Sequence, residues 1–285
     1  MKSPKRLQPL LDDGVIDEII GQLMSGKEAT VYTVRCGSEV RCVKAYKEAA
    51  KRSFKKAVQY QEGRKVRNTR RARAMDKGSK YGRKQQEETW QNAEVDALYL
   101  LANAGVRVPK PYGCFDGVLL MELVSDEAGN VAPRLGDVSM DEEQALEDHS
   151  VVMQYVVMML CAGIVHGDLS EFNVLVDDYG PVIIDLPQAV DASANNNAEV
   201  MLARDIANMT TYYGQFAPQL LGSNYAKEIW ALYEDGALKP DTVLSGYFAE
   251  PEDESDVDSV LDEIKAVLKD EEKRLERLQE NAEEE

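Results

Sequence analysis

Asp168, Asn173 and Asp185 stand at a spacing that can hold a metal ion and an attacking hydroxyl around one phosphate. They lie in the run His166-Gly167-Asp168-Leu169-Ser170-Glu171-Phe172-Asn173 and, a short hairpin later, in Ile183-Ile184-Asp185. Phosphoryl transfer asks little covalent chemistry of a protein. It needs the charge of the γ-phosphate neutralised and the acceptor oxygen placed in line. Asp168 would orient the hydroxyl, while the Asn173 amide and the Asp185 carboxylate would face the metal. The bland alternative has His166 and Asp168 capping a turn and Asp185 as a strand-end acid.

Such groups need rigid neighbours. Glu142 to Ala162 is rich in apolar residues (Val151, Val152, Tyr155, Val156, Met159, Leu160) and reads as a buried helix stopped at Gly163. Val174-Leu175-Val176 and Pro181-Val182-Ile183-Ile184 read as strands around the turn Asp177-Asp178-Tyr179-Gly180. Helix, loop, hairpin and acid follow in the order in which a kinase lays out its catalytic loop and metal-binding Asp. Small-molecule phosphotransferases carry the same signature, so it constrains the reaction more than the substrate.

A nucleotide half of the site would come from upstream. Arg41-Cys42-Val43-Lys44-Ala45-Tyr46 alternates as a half-buried strand and puts Lys44 on one face. With Thr30 to Arg35 and the turn Cys36-Gly37-Ser38-Glu39, it reads as a hairpin. In the preceding loop, Gly26 would let backbone amides approach phosphate oxygens and Lys27 would add charge, although a glycine there also simply makes a turn. The segment from Glu87 to Ala102 reads as a helix with Ala93, Ala97, Leu98 and Leu101 on one side. Glu94, near that face, is assigned as the partner of Lys44, the alternative being a solvated helix glutamate. Tyr112 to Phe115 and Val118 to Leu123 flank Asp116-Gly117, a hairpin signal. In a kinase the second of these strands leads to the hinge. Backbone groups of Glu122 and Val124 would then bond adenine, with Met121 at the back of the pocket unless it is a plain core residue.

Taken in order, these strings resemble the RIO family of atypical serine/threonine protein kinases. The resemblance rests on Gly26 to Ala29 with Val31-Tyr32, Val43-Lys44, Trp90 to Glu94, Val108-Pro109, Leu120-Met121-Glu122, Ala132-Pro133-Arg134-Leu135, His166 to Asn173 and Ile184-Asp185. It covers roughly residues 20 to 215. It implies an α+β, two-lobed protein-kinase-like fold, with a small antiparallel-sheet N-lobe and a trimmed, mainly helical C-lobe. The implied reactants are ATP and protein hydroxyls, the chain's own among them, with Mg²⁺ or alternatively Mn²⁺ as metal. Ser25, Gly26, Lys27, Lys44, Glu94, Met121, Glu122 and Val124 are then the nucleotide-binding residues, Asp168 the catalytic residue, and Asn173 and Asp185 the metal ligands. The likeness is to the bacterial or archaeal kind of branch lacking an N-terminal winged helix. A nucleotide-gated ATPase for assembly of the small ribosomal subunit, a small-molecule phosphotransferase and a binding-only pseudokinase remain as rivals.

Departures and absences carry mechanism too. Met24-Ser25-Gly26 stands where the family more often has Ser-Thr-Gly, and Leu186-Pro187-Gln188 stiffens the segment after Asp185. Gly167 replaces the Arg that clamps a phosphorylated activation loop in many kinases. The stretch before the helix expected over Val200 to Gly214 is too short for an activation loop. In that helix Asp205 either ties down the catalytic-loop backbone from below or pairs with Arg204 on a helix surface.

The expected organisation is an N-terminal segment with a short helix (1–22), an N-lobe (23–124) with a basic insert (47–86), a C-lobe (125–249), and an acidic helical or disordered tail (250–285). A chain of 285 residues, 44% hydrophobic, can bury one large core or two lobes. No run approaches a membrane span, the start lacks a signal peptide's apolar core, and four cysteines are scattered without metal or redox spacing. A cytoplasmic protein is expected. Two histidines make a zinc enzyme a poor fit. The net charge of −18 is divided: basic residues crowd Lys47 to Lys84, and acidic ones crowd Glu250 to Glu285. The basic block could attract RNA, a ribosomal subunit or an acidic protein. If it binds structured RNA, changing Arg70, Arg71 and Arg73 together to Ala should collapse affinity and flatten its salt dependence. Filter binding with an unchanged affinity in that variant would remove the idea.

Overall fold

The computed structural model describes residues 4–26, 29–47 and 93–248. Lys27, the basic block beyond Lys47 and the acidic segment 250–285 lie outside the described residues. Five antiparallel strands make the first sheet: β1 (Glu18–Ser25), β2 (Ala29–Cys36), β3 (Glu39–Tyr46), β4 (Pro111–Phe115) and β5 (Val118–Glu122). Their order is β1-β2-β3-β5-β4. Strands β2 and β3 pair from Ala29↔Tyr46 to Cys36↔Glu39 across a two-residue turn. Asp116 and Gly117 join β4 to β5 with φ of 46° and 77°, the left-handed geometry an Asp-Gly turn supports.

Strand alternation then sorts the side chains of β3. Val43 and Ala45 face a small core with Leu7, Leu10 and Ile16, supplied by the N-terminal segment around helix α1 (Gln8–Asp12). Lys44 and Tyr46 take the opposite face, over helix α2 (residues 93–103). Strand β1 is absent from the sequence reading. Most of its residues are exposed, and register shifts at Ile19/Gly21 and Gln22/Met24 break the alternation that would reveal it. The sheet thus begins at Glu18, upstream of residue 23.

The second part of the fold is mainly helical. Helix α3 (Glu142–Cys161) starts where Asp141 accepts a hydrogen bond from the Gln144 amide at 2.9 Å, and stops before Gly163, whose φ is 79°. It packs with α4 (Ala198–Tyr213) and α5 (Tyr225–Glu234) in one core. Short strand pairs lie above them: β7 (Val174–Asp177) with β8 (Gly180–Ile183), and β6 (Ile164–Val165) with β9 (Val190–Asp191). The larger core continues through α2 to Tyr46 and Leu119 on the sheet. This is the α+β, kinase-like fold expected. Among the described residues, no helix is long and apolar enough to cross a membrane.

His149 is buried at the contact of α3 and α4, with Nε2 3.1 Å from the Thr210 hydroxyl and Tyr213 and Tyr225 against its ring. Burial lowers its pKa from 6.5 to about 4. As pH falls, the unfolded chain takes this proton first. Stability from His149 should therefore drain away between pH 6.5 and 4, by roughly 3 kcal/mol. Thermal melts across that range should show His149→Phe losing less of its midpoint than the parent protein.

Candidate active site

Burial governs this site. Lys44 points from β3 beneath the sheet, and its side chain is only 12% exposed. Its Nζ lies 2.6 Å from Glu94 Oε1 on α2 and 2.6 Å from Asp185 Oδ1 beyond β8. Burial alone would lower the lysine pKa; the two carboxylates outweigh it and hold the amine above its ordinary value. Asp185 opens onto the cleft, 46% exposed; partial desolvation would push its carboxyl up, and its neighbours, Lys44 above all, more than reverse this and keep it below its usual range. Glu94 is 4% exposed, sharing one helical stripe with the buried Ala97, Leu98 and Leu101. A solvated glutamate is thereby ruled out. Tyr46, two residues after Lys44, donates its hydroxyl to Glu94 Oε2 at 2.5 Å.

Asp185 has φ 68°, a conformation costing a non-glycine residue about 1–3 kcal/mol. Its neighbours hold it there: the Ile184 amide donates to the Asn173 carbonyl at 3.0 Å, and the Ile184 carbonyl lies 3.1 Å from His166 Nε2. The Asp168 amide donates to His166 Nδ1 at 3.3 Å. A carbonyl can only accept, so this imidazole carries its proton on Nε2 and bridges the loops of Asp168 and Asp185. Asn173 Nδ2 donates to the Asp168 carbonyl at 2.8 Å, and Gln188 Nε2 donates to Asp168 Oδ2 at 2.8 Å.

The loop is also held from below. Asp205, 1% exposed on α4, accepts from the Gly167 amide at 2.7 Å and the Leu169 amide at 3.0 Å. Arg204 donates to the Gly167 carbonyl, and Asn208 to that of Leu169. Burial raises the Asp205 carboxyl to about 6, against the opposing pull of both amides and Arg204. Of the two readings of Asp205, the loop anchor is the one observed. Gly167 has φ 79°, which explains a glycine at that position in backbone terms.

A cleft of about 570 Å³ runs between sheet and helical part, lined by Met24, Gly26, Lys44, Glu94, Met121, Glu122, Val124, Asn173 and Asp185 among others. The Glu122 amide is committed to the Lys110 carbonyl at 2.9 Å and the Val124 carbonyl to the Ala132 amide at 3.0 Å. At the other end the Ser25 hydroxyl lies 3.3 Å from that of Thr30 and 3.2 Å from Lys47 Nζ, which also meets the Gly26 carbonyl at 2.5 Å. Arg134 reaches across to Met24 Sδ at 2.9 Å. Tyr46, Lys47 and Gln188 carry no motif signal, and Arg134 lies in a family string, Ala132 to Leu135, that assigned it no role. Only the i, i+2 spacing of Tyr46 from Lys44 hinted at a shared face.

Among the described residues, no cluster of three or more His, Cys, Asp or Glu can hold a metal alone. One carboxylate, Asp185, and the oxygen of Asn173, whose nitrogen is already engaged, suit a hard Mg²⁺ ion that keeps water and phosphate ligands.

The family model for the RIO domain matches residues 30–225, well over half of the chain. The chain belongs to the RIO family. It is 36% identical over 206 residues to the RIO-type serine/threonine-protein kinase Rio1 of Haloferax volcanii, covering 72% of this chain and 66% of that one. A Methanocaldococcus jannaschii protein of the same name is 32% identical over 200 residues, 70% of this chain and 63% of its own. The human serine/threonine-protein kinase RIO1 is 32% identical over 206 residues, 72% of this chain and 34% of its own. The aligned RIO region thus spans from about a third to just under two thirds of these relatives.

Because Tyr46 and Lys44 share Glu94, Tyr46→Phe leaves one buried carboxylate oxygen short of a donor. Urea unfolding should show a loss of about 1–3 kcal/mol, and an unchanged midpoint would mean that water replaces the hydroxyl.

Proposed function

We propose that this chain is an ATP-dependent serine/threonine protein kinase of RIO type, transferring the γ-phosphate to protein hydroxyls, its own included. What carries the reading is one contact: Lys44 between Glu94 and Asp185 at the floor of a cleft large enough for a nucleotide. The names of the relatives, as serine/threonine-protein kinases, agree with it.

Adenine would lie against Met121 and bond the Glu122 carbonyl and the Val124 amide, the backbone groups left over from the bonds described above. Ser25, Gly26 and, outside the described residues, Lys27 would border the phosphates. Lys44, kept cationic and aimed by Glu94, would touch α- and β-phosphate oxygens. Asp185, kept anionic, and Asn173 would hold Mg²⁺ or Mn²⁺, which supplies positive charge to the phosphate oxygens. With both bound, Lys44 would pair with phosphate and Asp185 with the metal in place of their present contact with each other. Asp168 would accept the hydroxyl proton as the new oxygen–phosphorus bond forms; the bond to the β-phosphate oxygen breaks, and ADP leaves with its electron pair. The short connection from Asp185 to α4 leaves little room for a peptide platform, so a protein substrate would be recognised elsewhere. Four free cysteines suit a reducing cytoplasm.

With γ-labelled ATP and Mg²⁺, label should appear on protein serine or threonine. Asp168→Ala should lower transfer by orders of magnitude with ATP affinity largely kept, and Asp185→Ala should also abolish metal-dependent nucleotide binding. Release of free phosphate without protein label would favour the ATPase reading, and transfer by Asp168→Ala at the parental rate would overturn the assignment.

A further inference from the structure

Among the described residues, Lys44 and Arg134 are the two cationic side chains that line the cleft. They differ in what holds them. Lys44 sits between two carboxylates, whereas the Arg134 guanidinium donates from Nη2 to a neutral atom, Met24 Sδ, at 2.9 Å. A thioether is a weak acceptor, and a guanidinium presents five donors in a fork that suits paired oxygens. No carboxylate among the described residues pairs with Arg134, although Asp137 lines the same cleft. Its main chain, by contrast, is firmly seated. Arg134 bridges Leu175 on β7, the Asp137 amide donates to its carbonyl at 2.9 Å, and the Val176 amide donates to the Pro133 carbonyl at 3.0 Å. Its charge also reaches the metal end of the cleft: desolvation pushes the Asp185 carboxyl up, and Arg134 joins Lys44 in pulling it down.

We propose that Arg134 is a second phosphate-binding cation of this cleft, which releases Met24 and takes oxygens of a nucleoside polyphosphate. The proposal rests on the cleft being the ATP site. A triphosphate bears more negative charge than Lys44 and one divalent metal together neutralise, so a further cation finds a partner there. The exchange gives up a weak bond to the sulfur of Met24, itself 43% exposed, for charge-assisted bonds to phosphate. Because the Arg134 backbone is pinned to β7, the side chain can turn without the strand pair moving. Ribose hydroxyls are the other acceptors a nucleotide offers; being neutral, they would use a donor but not the charge.

The test uses the full chain and compares Arg134→Met and Arg134→Gln with the parent protein, titrating each calorimetrically with adenosine, ADP and ATP in the presence of Mg²⁺. Both variants should bind ADP and ATP about 10–100-fold more weakly, with adenosine affinity within about twofold of parent. Both substitutions remove the charge, but Gln keeps a donor. A ribose contact would therefore weaken all three ligands in the Met variant and spare the Gln variant. Equal losses on adenosine and ATP, or parental ATP affinity in either variant, would overturn the inference; the second result would leave Arg134 as a strap to Met24 alone. Should the Met variant fail to fold, the Gln variant decides by the same comparison of adenosine with ATP. A parent protein that binds none of the three ligands would instead overturn the reading of the cleft as an ATP site, so the two failures are distinct.

Discussion

An ammonium taken out of water must find carboxylates, and Lys44 finds two from distant parts of the chain. Glu94 arrives on α2 and Asp185 at the end of the β7–β8 hairpin, each 2.6 Å from the same nitrogen. Together they outweigh the burial that would otherwise lower the lysine pKa. The contact therefore ties sheet, helix and helical part to one another and sets the depth of the cleft. The strained backbone of Asp185 and the Tyr46 hydroxyl on Glu94 make sense as supports for that point.

The Asp168 loop is held by the same logic, with main chain in place of charge. Asp205 and Arg204 take the amide and carbonyl of Gly167 from below, while His166 joins the loop sideways to Ile184. A buried carboxylate accepting two amides makes a stiff mount, and stiffness is what an in-line transfer requires. Four hydrogen bonds from α4 fasten this loop within the fold itself. The turn at Pro187 continues this economy, delivering an amide to Asp168 from a segment too short to do more.

Legibility followed periodicity. The alternation of β3, the Asp-Gly turn and the apolar stripe of α3 each follow from local sterics and burial, so each could be read from neighbouring residues. Strand β1 could not, since two bulges and an exposed surface leave no alternation to see. The order of motifs placed Lys44, Glu94, Asp168, Asn173 and Asp185 in one kinase-like frame. The partners Lys47 and Gln188 stayed silent, and Tyr46 and Arg134 had no role assigned, because what a bracing residue touches is decided by packing and not by its own neighbours in the chain.

By itself the order of residues determined which groups could perform phosphoryl chemistry and which family they belong to, since turn chemistry, strand alternation and motif spacing act over a few residues. Tertiary structure alone decided how those groups are charged, aimed and braced. Asp205 looked equally suited to surface or core until α4 packed beneath Gly167, and Gln188 looked like a loop glutamine until its turn met Asp168. Burial and hydrogen-bond reach depend on distances through space, and separations of 20 to 141 positions along the chain do not encode them.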